Sequence, residues 1–180
     1  MKRAFIIIDA QEDFTRGALK NEDAIKALPV IRELVRYAED HQALLFYTMD
    51  THHENYLETQ EGRKLPVPHC IKDTPGWQIC PEVLPGKMPL IRCQKEQFGY
   101  PDWGYSVLNE MEEIVLCGFC TDICVSANFQ ILKALFPEVP MTVISDACAG
   151  VTPKLHEAAL LVMESCQASV MTWAEYVARN

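Results

Sequence analysis

One of the eight cysteines lies in a segment whose sequence suits a reactive thiol. An apolar run ends at Phe119 and is followed by a turn, and a helical pattern begins near Asp122. Cys124 therefore falls in the first helical turn, where free N–H groups and partial positive charge lower a thiol's pKa and hold an oxyanion. Both effects favour acyl transfer, although this segment alone equally suits a Cys124 that only packs under the helix.

A thiol nucleophile needs a base to accept its proton and a charged partner for the developing anion. Asp9 follows the apolar run from Phe5 to Ile8, and Lys95 ends another run of strand length. Taken singly, Asp9 suits a structural cap for the next loop and Lys95 a solvated strand end. Taken with Cys124, they form a candidate catalytic set for acyl transfer.

A second candidate set consists of carboxylates and imidazoles. Asp50 and His52 are two residues apart at a strand end, and Glu61 and His69 follow in the next segment. Such a set suits Zn²⁺, Mn²⁺ or Fe²⁺, with zinc the first choice for imidazole ligands. The alternative is a polar loop in which the histidines occur by chance.

Cys117, Cys120 and Cys124 have spacings that also occur in zinc sites and in redox pairs. Cys117 belongs to a predicted central strand, and no second C-x-x-C pair completes a tetrahedral site. A redox C-x-x-C pair usually opens a helix, whereas Cys117 precedes the turn. We therefore interpret most of the cysteines as small buried hydrophobes, and keep a thiol-based metal-binding or redox-sensing module as a non-enzymatic alternative.

The composition of the 180-residue chain, with 49% hydrophobic and 23% charged residues, is typical of one compact domain over 1–180. The net charge of −9, without a basic run, argues against nucleic-acid binding. No apolar stretch is long enough to cross a bilayer, and the initial one is cut short by Asp9. We expect a cytoplasmic protein that does not bind membranes, and the sequence is compatible with a homo-oligomer.

Mostly continuous apolar runs alternate with helical patterns, which predicts an α/β fold with a parallel sheet of about six strands and helices on both faces. Ligands of such sheets bind at the carboxyl ends of the strands, where Asp9, Asp50, Lys95 and Asp146 are expected. The proline-rich segment 51–89 is predicted to be a long functional loop. Strands are predicted at 4–9, 43–49, 90–94, 113–119, 141–146 and 169–173, and helices at 23–41, 122–135 and 153–166.

Three motifs in order resemble those of the isochorismatase-like cysteine hydrolases, and within them the nicotinamidases. Asp9 to Phe14 is similar to the family's D-x-Q-x-D-F opening, and Lys95 matches its lysine. The segment Gly118 to Val125 matches its G-x-x-T-D-x-C-V motif. The resemblance covers nearly the whole chain and implies a Rossmann-like sheet and a cysteine-dependent amidase.

The resemblance also implies roles for individual residues. Cys124 would be the nucleophile, Asp9 the general base and later acid, and Lys95 their electrostatic partner. A cis peptide between Phe119 and Cys120 would direct the backbone N–H groups of Cys120 and Cys124 into an oxyanion hole.

For the metal and the substrate, the resemblance implies a site formed by Asp50, His52 and His69, with Glu61 as fourth ligand, in which the metal holds the pyridine nitrogen of nicotinamide. Phe14 would be an aromatic wall of the pocket. The aromatic residue often found three positions before the second histidine is replaced by Pro66, so we predict that Phe98, Tyr100 or Trp103 compensates.

The resulting hypothesis is hydrolysis of nicotinamide to nicotinate and ammonia through a thioester, as part of pyridine nucleotide biosynthesis. The alternative within the family is another small amide or ureido substrate. Isochorismate itself is not expected, because its cleavage breaks a vinyl ether and does not use a cysteine at this position.

Overall fold

The computed structural model describes residues 2–179 and contains a six-stranded sheet in the order β3-β2-β1-β4-β5-β6. All neighbouring strands are parallel, and every residue of β1 is buried, as expected for a strand covered on both faces. The strands are β1 Arg3–Ile8, β2 Leu44–Asp50, β3 Ile91–Lys95, β4 Glu113–Phe119, β5 Met141–Ala149 and β6 Ala168–Met171. The predicted parallel α/β sheet is therefore confirmed.

The helices cover the sheet in two groups. Among the described residues, α2 and α6 meet through the rings of Tyr37 and Trp173, whereas α4 contacts α5. Within 2–179, no helix combines the length and apolar character needed to span a membrane. The helices are α1 Glu12–Thr15, α2 Glu22–Asp40, α3 Gln60–Lys64, α4 Ser126–Leu135, α5 Pro153–Ser165 and α6 Trp173–Arg179.

The order of the strands changes direction between β1 and β4, which opens a crevice at their carboxyl ends. Gly118, near the end of β4, has φ of 121°, and a Cβ there would lie 2.0 Å from the carbonyl oxygen of Ile8. Only glycine accepts both the backbone conformation and this contact. The end of β4 therefore lies directly against the end of β1, which carries Asp9.

Four local expectations are corrected. A register shift between Leu116 and Gly118 accompanies an extension of β5 to Ala149, so Asp146 lies within a strand and not at its end. β6 ends at Met171, because Trp173 begins α6. The helix predicted from Asp122 begins as a π-helical turn before α4. The segment 51–89 is not one loop but contains α3 and three short 3₁₀ helices, Tyr56–Glu58, Pro75–Trp77 and Pro81–Val83.

Candidate active site

Three neighbouring strands bring two carboxylates and an ammonium together. Lys95 Nζ lies 2.7 Å from Asp9 Oδ2 and 3.2 Å from Asp50 Oδ1. The hydroxyl of Thr48 donates a hydrogen bond of 2.6 Å to Asp9 Oδ1, and the side chains of Asp9 and Lys95 are fully buried. The cation therefore bridges two acids that burial would otherwise force to take up protons.

Burial and the charges within this cluster shift the pKa values of the two acids in opposite directions. Burial raises the pKa of Asp9 despite the Lys95 ammonium beside it, so its carboxylate is a stronger base than an exposed one. Burial acts on Asp50 in the same sense, but Lys95 and the hydrogen bond from His52 outweigh it and hold the pKa of Asp50 well below its usual range. The pKa of Lys95 is raised well above its usual value: burial opposes its charge, but Asp9, Cys124 and Asp50 together outweigh burial.

Cys124 lies in the π-helical turn Thr121–Val125 that follows β4, and is 5% exposed. Its Sγ atom is 3.6 Å from Lys95 Nζ. Burial raises the thiol's pKa well above its usual value although Lys95 counteracts this, and Asp9 raises it further by accepting a hydrogen bond. The proton thus resides on sulfur, with a basic carboxylate beside it. The peptide between Phe119 and Cys120 is cis, as the resemblance implied.

The second predicted set also converges. His52 Nε2 lies 3.1 Å and His69 Nε2 3.5 Å from Asp50 Oδ2. Glu61 Oε1, supplied by α3, lies 3.7 Å from each of the two imidazole nitrogens. One ligand atom from each of the four residues lies within 4.8 Å of the others.

The chemistry of this set fits a divalent metal ion. The carbonyl oxygen of Val67 accepts a hydrogen bond of 2.8 Å from His69 Nδ1, so Nε2 is the ring nitrogen that faces Asp50 and Glu61 and that a metal ion would bind. Asp50 is held ionised by the lowered pKa described above. Two imidazoles and two carboxylates are ligands suited to Zn²⁺, Mn²⁺ or Fe²⁺.

Two residues of the opening motif hold this set in place, a role that was not predicted from the sequence. Gln11 accepts a hydrogen bond from Asp50 N and donates to Asp50 O and to Trp77 O, at 2.8 to 2.9 Å. Asp13 Oδ2 accepts a 2.7 Å bond from Cys70 N, next to His69. Their place in the D-x-Q-x-D-F motif was the available signal.

Tyr56 was also missed. Its ring centroid lies 4.7 Å from that of His52 and 5.1 Å from that of His69, and its hydroxyl donates to Leu65 O at 2.9 Å. Tyr56 therefore provides an aromatic contact to both histidines from a position that no motif marks. The aromatic residue that Pro66 replaces three positions before His69 is thus not the only way to supply this contact.

Both sets reach one cavity of about 1160 Å³, the first set through Cys124. Cys120, Cys124 and the four metal-binding candidates line it, and so do Phe14 and Phe98, as predicted for pocket residues. Tyr100 and Trp103 lie outside the lining, which corrects their assignment to the pocket. Trp103 is fully buried, and its ring packs 5.9 Å from that of Phe46.

The cysteine-based alternative lacks support in the geometry. All eight cysteines are free, including Cys117 and Cys120, and Cys117 is fully buried in β4. Within residues 2–179, the cluster able to hold a metal contains no thiol.

Comparison with known proteins assigns the family. The isochorismatase domain model matches residues 3–175, which is nearly all of the chain. The protein is a member of the isochorismatase family. This confirms the resemblance of its motifs, and as a member of that family the protein is a hydrolase.

Individual relatives of this isochorismatase-family protein act on different substrates. The nicotinamidase of Escherichia coli is 24% identical over 209 positions, covering 97% of this chain and 96% of its own. The pyrazinamidase of Pyrococcus horikoshii, solved in complex with zinc, is 25% identical with a TM-score of 0.80, covering 96% and 99%. N-carbamoylsarcosine amidase from Thermoplasma acidophilum has the same fold, with 22% identity, a TM-score of 0.76 and coverage of 96% and 97%.

Proposed function

We propose that the protein is a cysteine-dependent amidase that hydrolyses nicotinamide to nicotinate and ammonia. The observation that carries the proposal is the meeting of two sets on one cavity: the thiol of Cys124 and the cluster of Asp50, His52, Glu61 and His69. A metal ion held by the second set would offer a Lewis acid to the pyridine nitrogen of nicotinamide. The nicotinamidase and the zinc-bound pyrazinamidase among its relatives support the same substrate class.

In the first half of the proposed reaction, Cys124 Sγ attacks the amide carbonyl carbon and its proton passes to the Asp9 carboxylate. The raised pKa of Asp9 favours this transfer, and the Lys95 ammonium offsets the negative charge that arises. The backbone N–H groups of Cys120 and Cys124 hold the carbonyl oxygen as it becomes an oxyanion. Asp9 then gives its proton to the amide nitrogen, the C–N bond breaks, and ammonia leaves a thioester on Cys124.

In the second half, Asp9 accepts a proton from a water molecule whose oxygen attacks the thioester carbonyl. The C–S bond breaks, Asp9 returns its proton to the Cys124 sulfur, and nicotinic acid is released, which becomes nicotinate by giving its carboxyl proton to the ammonia in solution. One water is consumed and the protein ends as it began. The closeness of Lys95 to both Asp9 and Cys124 keeps the three groups in position for both halves.

Asp50, His52, Glu61 and His69 would hold the metal ion in the proposed complex, with zinc first and manganese or iron as the other candidates. When bound, it supplies a Lewis acid for the pyridine nitrogen. Phe14 packs 6.1 Å from His69 by ring centroids and lines the cavity, and Phe98 lines it too, so both offer apolar surface for the ring.

Ammonia release from nicotinamide tests the proposal. We expect turnover by the purified protein, loss of turnover after treatment with a chelator, and its return when zinc is added back. Metal analysis is expected to find a divalent ion that is lost in His52→Ala. Absence of turnover by the metal-loaded protein, or turnover indifferent to chelation, would contradict nicotinamide as the substrate.

One observation favours a second candidate, an amidase acting on a larger amide or ureido compound. The cavity of about 1160 Å³ exceeds the roughly 300 to 1,000 Å³ typical of drug-sized ligands, and Lys20 and Glu22 contribute charges to its lining. A panel of nicotinamide, pyrazinamide and N-carbamoyl amino acids distinguishes the two. A higher kcat/KM for the carbamoyl compounds than for nicotinamide would favour the second candidate.

A further inference from the structure

Asn128 is a fully buried polar residue that the proposed reaction does not use. It lies in α4, four residues after Cys124, and its side chain uses its full hydrogen-bonding capacity. Its Nδ2 atom donates to the carbonyl oxygens of Cys124 at 2.7 Å and Phe98 at 3.2 Å. Its Oδ1 atom accepts from Tyr100 N at 2.9 Å and Trp103 Nε1 at 2.8 Å.

These four bonds join two parts of the site that are distant in sequence. One is the π-helical turn that carries Cys124, and the other is segment 98–103, which carries Phe98 at the cavity. Segment 98–103 has no helix or strand of its own, so side chains must hold it. Tyr100 and Trp103 pack edge to face at 5.1 Å, and both bond to Asn128 Oδ1, through a backbone N–H and an indole N–H respectively.

Asn128 contacts Cys124 at the backbone carbonyl group of Cys124 and not at its side chain. Because the residues 121–125 form a π-helical turn, this part of the chain is wider than an α-helix, and the Asn128 amide supplies a donor to the Cys124 carbonyl. The position of the carbonyl sets the position of the side chain on the same residue. The short approach of Cys124 Sγ to Lys95 Nζ therefore depends on where Asn128 holds the turn.

We propose that Asn128 is a positioning residue that locks segment 98–103 to the nucleophile turn and so keeps Cys124 beside Lys95. Tyr100 and Trp103 serve the site through Asn128 and not by contact with the substrate. The proposal rests on Cys124 as the nucleophile of the proposed function, but not on nicotinamide as the substrate.

The primary test is the rate at which iodoacetamide alkylates Cys124, followed by mass spectrometry of the peptide that contains it. Asn128→Asp keeps the size and the acceptor oxygen but removes both donors. We expect the alkylation rate at neutral pH to fall about fivefold or more, because the thiolate loses the nearby Lys95 ammonium that stabilises it. A rate equal to or above that of the wild type would overturn the proposal.

The matched control is Thr142→Val, which removes a buried hydrogen bond of 2.6 Å to Glu113 at the opposite edge of the sheet. It is expected to lower the melting temperature while the alkylation rate stays at the wild-type value. An equal fall in both variants would show that loss of stability alone explains the effect, and would overturn the proposal.

Trp103→Phe provides an independent test if Asn128→Asp does not fold, because it removes only the indole donor. Its alkylation rate is expected to fall less than that of Asn128→Asp but measurably, and an unchanged rate would overturn the link to segment 98–103.

With nicotinamide, Asn128→Asp is expected to lower kcat more than it raises KM. A rise in KM alone would contradict a role at Cys124. Failure of the wild type to hydrolyse nicotinamide would instead count against the proposed substrate and leave the alkylation test intact.

Discussion

The sheet buries charged residues at the amino ends of its strands, called here the amino edge, and at their carboxyl ends, called the carboxyl edge. The two edges differ in what these charged residues face. At the amino edge, Glu113 accepts hydrogen bonds from Thr142 at 2.6 Å and Tyr176 at 3.0 Å, and pairs with Arg3 and Arg179. These groups bond to one another. At the carboxyl edge, Asp9, Lys95 and Asp50 are equally buried, yet they contact Cys124 and the histidines that line a cavity.

The difference shows that a buried charge is not by itself a mark of function. Glu113 is surrounded by partners that satisfy it, and we interpret that cluster as structural. At the carboxyl edge the same kinds of groups contact a thiol and imidazole rings that line a cavity. Matched substitutions at the two edges therefore test whether the carboxyl edge determines activity while the amino edge determines the free energy of unfolding.

Asp9→Asn is expected to have the largest effect, because the amide keeps the shape of the carboxylate but accepts no proton. We expect kcat/KM for nicotinamide to fall about 10³-fold, within the range for loss of a general base. Steady-state ammonia release measures it, and the circular dichroism spectrum is expected to match the wild type. Activity within a few-fold of the wild type would assign the base to another group.

Glu113→Gln makes the same chemical change at the amino edge. We expect unfolding to become easier by about 3 kcal/mol, since the buried Arg3 loses the charge that compensates it. Urea denaturation measures the loss, and kcat on nicotinamide at a temperature where the variant is folded is expected to equal that of the wild type. A reduced kcat in the folded variant would mean that the two edges are not independent.

Tyr56→Leu tests the aromatic contact with the metal-binding candidates. Because the ring packs against both His52 and His69, we expect its removal to weaken zinc binding about tenfold, the lower end of the range for residues that orient metal ligands. Calorimetric titration of the metal-free protein with zinc measures the effect. Tyr105→Leu, beside Phe46, is the control and should leave the affinity unchanged. Equal zinc affinity in the two variants would show that Tyr56 does not support the metal-binding residues.

Phe98→Ala is expected to have the smallest effect. Phe98 lines the cavity but remains 47% exposed, so its loss should raise KM for nicotinamide about fivefold, equivalent to about 1 kcal/mol of apolar contact, with kcat little changed. Leu161→Ala removes an even more exposed apolar side chain, on α5, and should change neither constant. An unchanged KM in Phe98→Ala would exclude this side chain from substrate binding.

The sequence was sufficient for the sheet and for the convergence of Asp9, Lys95 and Cys124. Continuous apolar runs predict buried parallel strands, and the carboxyl ends of parallel strands meet at one edge. The roles of these residues stay predictions. Tyr56 and Asn128 were out of reach, because their importance depends on how irregular segments fold across the site.

Two errors have the same physical origin. Trp103 was assigned to the pocket because aromatic side chains suit a ring-shaped substrate, but its indole N–H is used by the buried Asn128. Asp146 was placed at a strand end, but the register shift between β4 and β5 puts it within β5, where its carboxylate accepts a hydrogen bond from Trp173 N. Sequence periodicity contains no information on such tertiary partners.

The central claim is that Cys124 carries the acyl group during turnover. Rapid acid quenching of the metal-loaded protein with nicotinamide, followed by mass spectrometry of the Cys124 peptide, tests it directly. We predict a nicotinoyl group on Cys124 and no turnover by Cys124→Ala, which should fold normally. Hydrolysis of nicotinamide by Cys124→Ala at the wild-type rate, or a nicotinoyl group on another residue, would contradict the claim.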